Sequence, residues 1–129
     1  MESGGKYYFE IKVDKGSLLK IGVTRPNNDF RSIGFCDTEN GWGIYNGELR
    51  HGGMEKAGIK YAQNLELDQS SKIDSGDLIG VMVDMVNGTL GYSKNGVYLG
   101  IAFYDIELSK GSLYPAVATI YCEDSFSVV

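Results

Sequence analysis

Between Gly76 and Phe103 the chain reads GDLIGVMVDMVNGTLGYSKNGVYLGIAF, three short apolar runs separated by Asn87-Gly88 and Asn95-Gly96. Asn and Gly tolerate the positive φ of a two-residue type I′ turn, so Asn-Gly between alternating runs predicts a hairpin. Two in tandem predict a three-stranded antiparallel meander over Leu78–Asp84, Thr89–Ser93 and Val97–Phe103. In the first of these strands Ile79, Val81 and Val83 point one way, and Leu78, Gly80, Met82 and Asp84 the other. Both faces are largely apolar, which predicts a central strand in a two-layer core.

The remaining runs follow the same period of two. Tyr7–Val13 alternates as a half-buried strand, and its start so close to the first residue reads either as a domain taken from a longer chain or as an unusually abrupt beginning. Leu18–Thr24, Ser32–Cys36, Trp42–Asn46, Leu49–His51 and Ile59–Ala62 are expected as further strands, with a third Asn-Gly turn at Asn46-Gly47. Arg25–Phe30 and Asn64–Ser75 read as connections, and Tyr104–Ser112 as one holding a single helical turn at most. Leu113–Tyr121 carries Pro115, which suits an edge or a strand start, and Ser125–Val129 is the last strand. Short strands at regular spacing predict an all-β sandwich of antiparallel sheets.

A chain of 129 residues suits one domain and one core. The 18 Gly and 9 Tyr against 2 Pro favour strands and tight turns. No apolar run is long enough for a transmembrane helix, and no signal peptide opens the chain, so no membrane partner is expected. The net charge of −5 with scattered Lys and Arg argues against nucleic acid. Two cysteines, Cys36 and Cys122, read as free thiols of a reducing cytoplasm rather than a disulfide scaffold.

Catalytic chemistry finds little to use. His51 is the one histidine, so a nucleophilic triad would depend on it. Cys36, Cys122 and His51 lack the spacing of metal ligands, and the Asp84-to-Gly88 turn lacks the alternating oxygens of a calcium loop. No glycine-rich stretch opens a helix that could cradle phosphate, and nothing singles out a pair of carboxylates. No metal, cofactor or enzymatic activity is therefore expected. Surface recognition remains, with Tyr45, Tyr61, Tyr104 and Tyr121 as candidate contacts because tyrosine combines apolar area with a polar tip. The alternative is a lectin-like sandwich that binds sugar through Trp42 with Asn40 and Asn46, which requires Trp42 to face solvent.

GKYYFEIKV, KIGVT, GWGIYNGELRHGG, the meander and LYPAVATIY, in that order, resemble the SPRY domain over nearly the whole chain. SLYPAVATIY after the meander is especially similar to the SPRY-domain SOCS-box and F-box proteins, and GKYYFEIKV with SKNG and LGIAF resembles the Ran-binding-protein branch. The resemblance implies a bent, concanavalin-like jelly roll of two antiparallel sheets. It implies a single SPRY domain over 1–129 that lacks the family's N-terminal segment, whose Arg-Pro-type loop completes the site in relatives. It also implies a monomeric, intracellular, non-catalytic module that binds a short peptide of a partner protein through loops at one end, as a substrate adaptor does. Tyr121 matches the family's strand-end aromatic, flanked here by Ile120 and Cys122 where relatives carry Trp with Val and Gly. Tyr61 matches a second contact and Asn28 a third.

Overall fold

A computed structural model of the chain describes residues 1–16, 19–26, 34–52, 59–61, 72–119 and 123–129. The meander forms where the Asn-Gly pairs place it, as β6 (Leu78–Asp84), β7 (Thr89–Lys94) and β8 (Val97–Tyr104). With β1 (Lys6–Lys15) and β10 (Ser125–Val128) it makes an antiparallel sheet of order β10-β1-β6-β7-β8, with β6 in the middle. The second sheet contains β2 (Lys20–Thr24), β3 (Gly41–Tyr45), β4 (Glu48–Arg50), β5 (Ile59–Lys60) and β9 (Tyr114–Ala118), in the order β5-β4-β3-β2-β9. Two 3₁₀ turns, η1 (Phe35–Asp37) and η2 (Ile106–Ser109), complete the described elements. This is the expected all-β sandwich.

Alternation along the strands builds the core. Ile11, Val13, Ile79, Val81, Val83, Leu90 and Tyr92 of the first sheet meet Ile21, Val23, Trp42 and Ile44 of the second, and all are buried. Each such side chain contributes about 1.5–3 kcal/mol by leaving water. The other face of β6 is not a second core: Leu78, Met82 and Asp84 are only half-buried, and among the described residues no layer packs over that side of the sheet.

Asn46-Gly47 and Asn95-Gly96 adopt the positive φ values of a type I′ turn, 48° and 80° in the first, 52° and 85° in the second. Asn87-Gly88 departs from the expectation. The ladder closes at Asp84 opposite Thr89, leaving a four-residue loop in which only Gly88 has positive φ. The Asp84 side chain organises that loop: Oδ1 accepts from the amides of Val86 and Asn87, and Oδ2 from Asn87 Nδ2. The Asn87 amide group is foremost in holding the Asp84 carboxyl below its ordinary pKa.

The strand expected at Ser32–Cys36 is also corrected. Ser32 and Ile33 lie outside the described residues, and Phe35–Asp37 forms η1. Phe35 and Cys36 are consecutive and both buried, which a tight turn allows and an alternating strand does not. They roof the outer face of the second sheet at Gly43, where a Cβ would lie 3.1 Å from that of Cys36 and 3.2 Å from the Phe35 ring.

Candidate functional site

Lys20 pairs with both Tyr45 and Ala118, so β2 begins where β3 and β9 end. Trp42 Nε1 donates to Asp105 at 3.1 Å, which sets the end of β8 against the start of β3. The two type I′ turns therefore share one end of the sandwich with Thr119, which follows the end of β9. Of the family-matched residues, Tyr61 is at this turn end, whereas β2 carries the chain to Thr24 and Arg25 at the other end before Asn28 is reached.

Among them, Tyr61 is described, and it faces inward. Its amide donates to the Gly47 carbonyl at 3.0 Å, anchoring it beneath the Asn46-Gly47 turn. Its ring is 5% exposed and packs edge-on against Tyr92, with centroids 5.9 Å apart. Its hydroxyl donates to the Gly100 carbonyl at 2.6 Å and accepts from the Tyr92 amide at 3.3 Å. The hydroxyl thus fills a gap in the β7–β8 ladder, where the register slips between Gly91 and Ser93 and Gly100 takes a φ of 101°. Burial pushes the Tyr61 phenol well above its ordinary pKa. The expected direct contact is corrected accordingly: the hydroxyl is spent on backbone, and the ring supports the end from within. Ile120, Tyr121, Cys122 and Asn28 lie outside the described residues; Thr119 and Glu123, which bracket the first three, are exposed.

Beside this end the outer face of the second sheet carries a polar shelf that sequence spacing did not reveal. Lys20 Nζ donates to Asp37 Oδ2 at 2.8 Å, and Arg50 lies 3.5 Å from Asp37 and 3.7 Å from Glu48. The Tyr45 ring has Lys20 Nζ at 5.4 Å and Arg50 Cζ at 5.1 Å from its centroid. Two cations and two anions balance, so the shelf fixes Tyr45 in place by cation–π contact rather than presenting net charge. The selection of Tyr45 as a candidate contact was the one sequence signal pointing here.

Among the described residues, the His51 imidazole and the Cys36 thiol are bound into structure. His51 Nδ1–H donates to the Gly41 carbonyl at 2.9 Å, Nε2 faces Asp105 at 3.4 Å, and the ring stacks on Trp42 at 4.6 Å. The Cys36 thiol is pushed up to about 12, by burial first and the neighbouring Asp37 carboxylate second, which makes it a poor nucleophile. Among the described residues no group of three or more His, Cys, Asp or Glu could hold a metal ion, and no helix is long and apolar enough to cross a membrane. Trp42 is fully buried, and Asn40 and Asn46 stand at opposite ends of β3, so the ring that the lectin alternative needed does not reach solvent.

The sheet order, the buried Trp42 and the loop-bearing turn end define a β-sandwich recognition domain, and the chain belongs to the SPRY family: the SPRY domain model matches residues 6–126. As a class, SPRY domains are protein-interaction modules. The chain is 31% identical over 135 residues to F-box/SPRY domain-containing protein 1 of Xenopus laevis, covering 98% of this chain and 46% of the relative. It is 27% identical over 117 residues to human SPRY domain-containing SOCS box protein 1, covering 84% of this chain and 41% of the relative. The Drosophila melanogaster Ran-binding proteins 9/10 homolog is 30% identical over 118 residues, 89% of this chain and 11% of that protein. The chain thus spans less than half the length of these curated relatives. The crystal structure of the SPRY domain of human HERC1 superposes with a TM-score of 0.71 at 27% identity, covering 98% of this chain and 75% of the other.

Proposed function

We propose that this SPRY domain is a non-catalytic, intracellular module that grips a short peptide segment of a partner protein at its turn end. Membership of the SPRY family over residues 6–126 is the observation that carries this reading. The commitment of His51 and Cys36 to internal contacts supports it, since neither is placed to serve as base or nucleophile. Ile120, Tyr121 and Cys122 supply the contacts in this proposal and Tyr61 holds the platform at that end; Asn28, which follows Arg25 in the chain, is left out of it because Arg25 bonds to Glu107 and Lys110 at the other end. A preformed platform loses little entropy on binding, so a short peptide can reach micromolar affinity, roughly −8 kcal/mol. The F-box and SOCS-box relatives suggest that the domain serves as the substrate-gripping part of an adaptor. Peptide display against the domain, followed by titration of the selected peptide into wild type and Tyr121→Ala, tests the reading. Selected peptides that bind both proteins equally would remove Tyr121 from the site.

A further inference from the structure

The outer face of the first sheet carries a groove of about 320 Å³ lined by Lys6, Tyr8, Met82, Asp84, Gly91 and Tyr98 among others. Gly91 lies in its lining and Gly80 lies under its Tyr8 wall. A Cβ on Gly80 would fall 2.6 Å from the Tyr8 hydroxyl, and one on Gly91 would fall 2.9 Å from that of Tyr98. Without those atoms the two phenol rings lie down along the sheet and wall a slot, each ring still 54% exposed.

Charge is distributed along the slot with a definite polarity. Lys6, Tyr8 and Glu10 alternate on β1, opposite Asp84, Met82 and Gly80, so all three side chains share the groove side. Asp84 is committed to its own loop through three hydrogen bonds. Lys6 Nζ stands 3.9 Å from Asp84, beyond hydrogen-bond distance, and its side chain is 71% exposed. The Glu10 carboxylate makes no ion pair or side-chain hydrogen bond among the described residues. A cation with unused donors in the groove lining and an anion with unused acceptors just past its Tyr8 wall therefore stand four residues, or ~13 Å, apart along the strand.

We propose that this groove is a second peptide-docking surface, separate from the turn end, whose occupant is an extended proline-containing segment with an acidic and a basic residue four positions apart. Aromatic-walled grooves accept the preformed polyproline II conformation, in which the proline ring stacks on tyrosine faces. Four residues of that conformation span ~12 Å, matching the Lys6-to-Glu10 separation. The acid meets Lys6, the proline enters between Tyr8 and Tyr98, and the base meets Glu10.

The test is an amide-shift titration of the whole chain with the end-capped pentapeptides Arg-Ala-Pro-Ala-Asp and Asp-Ala-Pro-Ala-Asp. Wild type is expected to prefer the mixed-charge peptide by about fivefold, the scale of one exposed ion pair. The shifts should centre on Lys6–Glu10, Gly80 and Gly91. Glu10→Lys should reverse the preference, and Tyr98→Ala should weaken both peptides by about tenfold. Tyr121→Ala should leave both unchanged, which separates this surface from the turn end. The proposal is overturned if millimolar peptide gives no saturable shift, if Glu10→Lys leaves the preference intact, or if the same amides move on concentrating the protein without peptide. That last result would make the face a contact between copies of the chain.

Discussion

The Tyr61 hydroxyl donates to the carbonyl of Gly100 at 2.6 Å, so a side chain from the end of β5 in one sheet completes the backbone ladder of the other. The same oxygen accepts from the Tyr92 amide, which is buried.

Tyr61→Phe keeps the ring and removes that bridge. A buried amide and a part-buried carbonyl lose their partner, an effect of about 1–3 kcal/mol. Urea denaturation of the two proteins measures it. Equal midpoints would show that the β7–β8 ladder closes without the hydroxyl.

Stability should fall at alkaline pH. Burial raises the phenols of both Tyr61 and Tyr92, whereas in the unfolded chain they ionise near pH 10. Above that value the unfolded state binds fewer protons than the folded one. The contribution is thus fully present below pH 10 and is lost as pH climbs through the raised folded values. Each phenol adds a slope approaching about 1.4 kcal/mol per pH unit. Urea midpoints from pH 8 to 11 should show a steeper decline in wild type than in Tyr61→Phe; parallel curves would argue against an enclosed phenol.

Asp105 holds the opposite end together. It accepts from the Trp42 indole and faces His51, and its Oδ1 caps η2 through the Glu107 amide. Asp105→Ala leaves a buried indole N–H without this acceptor and is expected to cost about 1–3 kcal/mol. Thermal unfolding reads the loss. Trp42 emission should shift to longer wavelength only on unfolding, since the ring remains enclosed by packing.

For the turn end, Tyr121→Ala is expected to weaken a selected peptide by about 1–3 kcal/mol, the range of an aromatic hot spot. Isothermal titration gives the number. The unfolding midpoint serves as the control, because a contact residue should alter affinity more than stability.

Most of the sandwich was legible because a period of two leaves little freedom. In β6, Ile79, Val81 and Val83 can all be buried only in an extended strand, and that is where they lie. Asn46-Gly47 and Asn95-Gly96 were read correctly since the turn demands those residues at those two positions. Asn87-Gly88 misled because the Asp84 carboxylate, three residues upstream, offered the backbone a longer loop with more hydrogen bonds. η1 was misread because its burial depends on the bare surface that Gly43 leaves on the following strand, not on its own pattern. The inward turn of Tyr61 was equally hidden. Its destination is a gap between two other strands, and no property of Ile59–Ala62 announces that gap.

The glycines at 80 and 91 give the first sheet its relief by what they omit. A single methyl group at either position would lift a phenol ring off the sheet and flatten the trough between them. A methyl at 80 would also press on Ser93 Oγ and one at 91 on the Gly100 carbonyl that accepts from Tyr61, so the trough on the outer face is tied to the ladder beneath it.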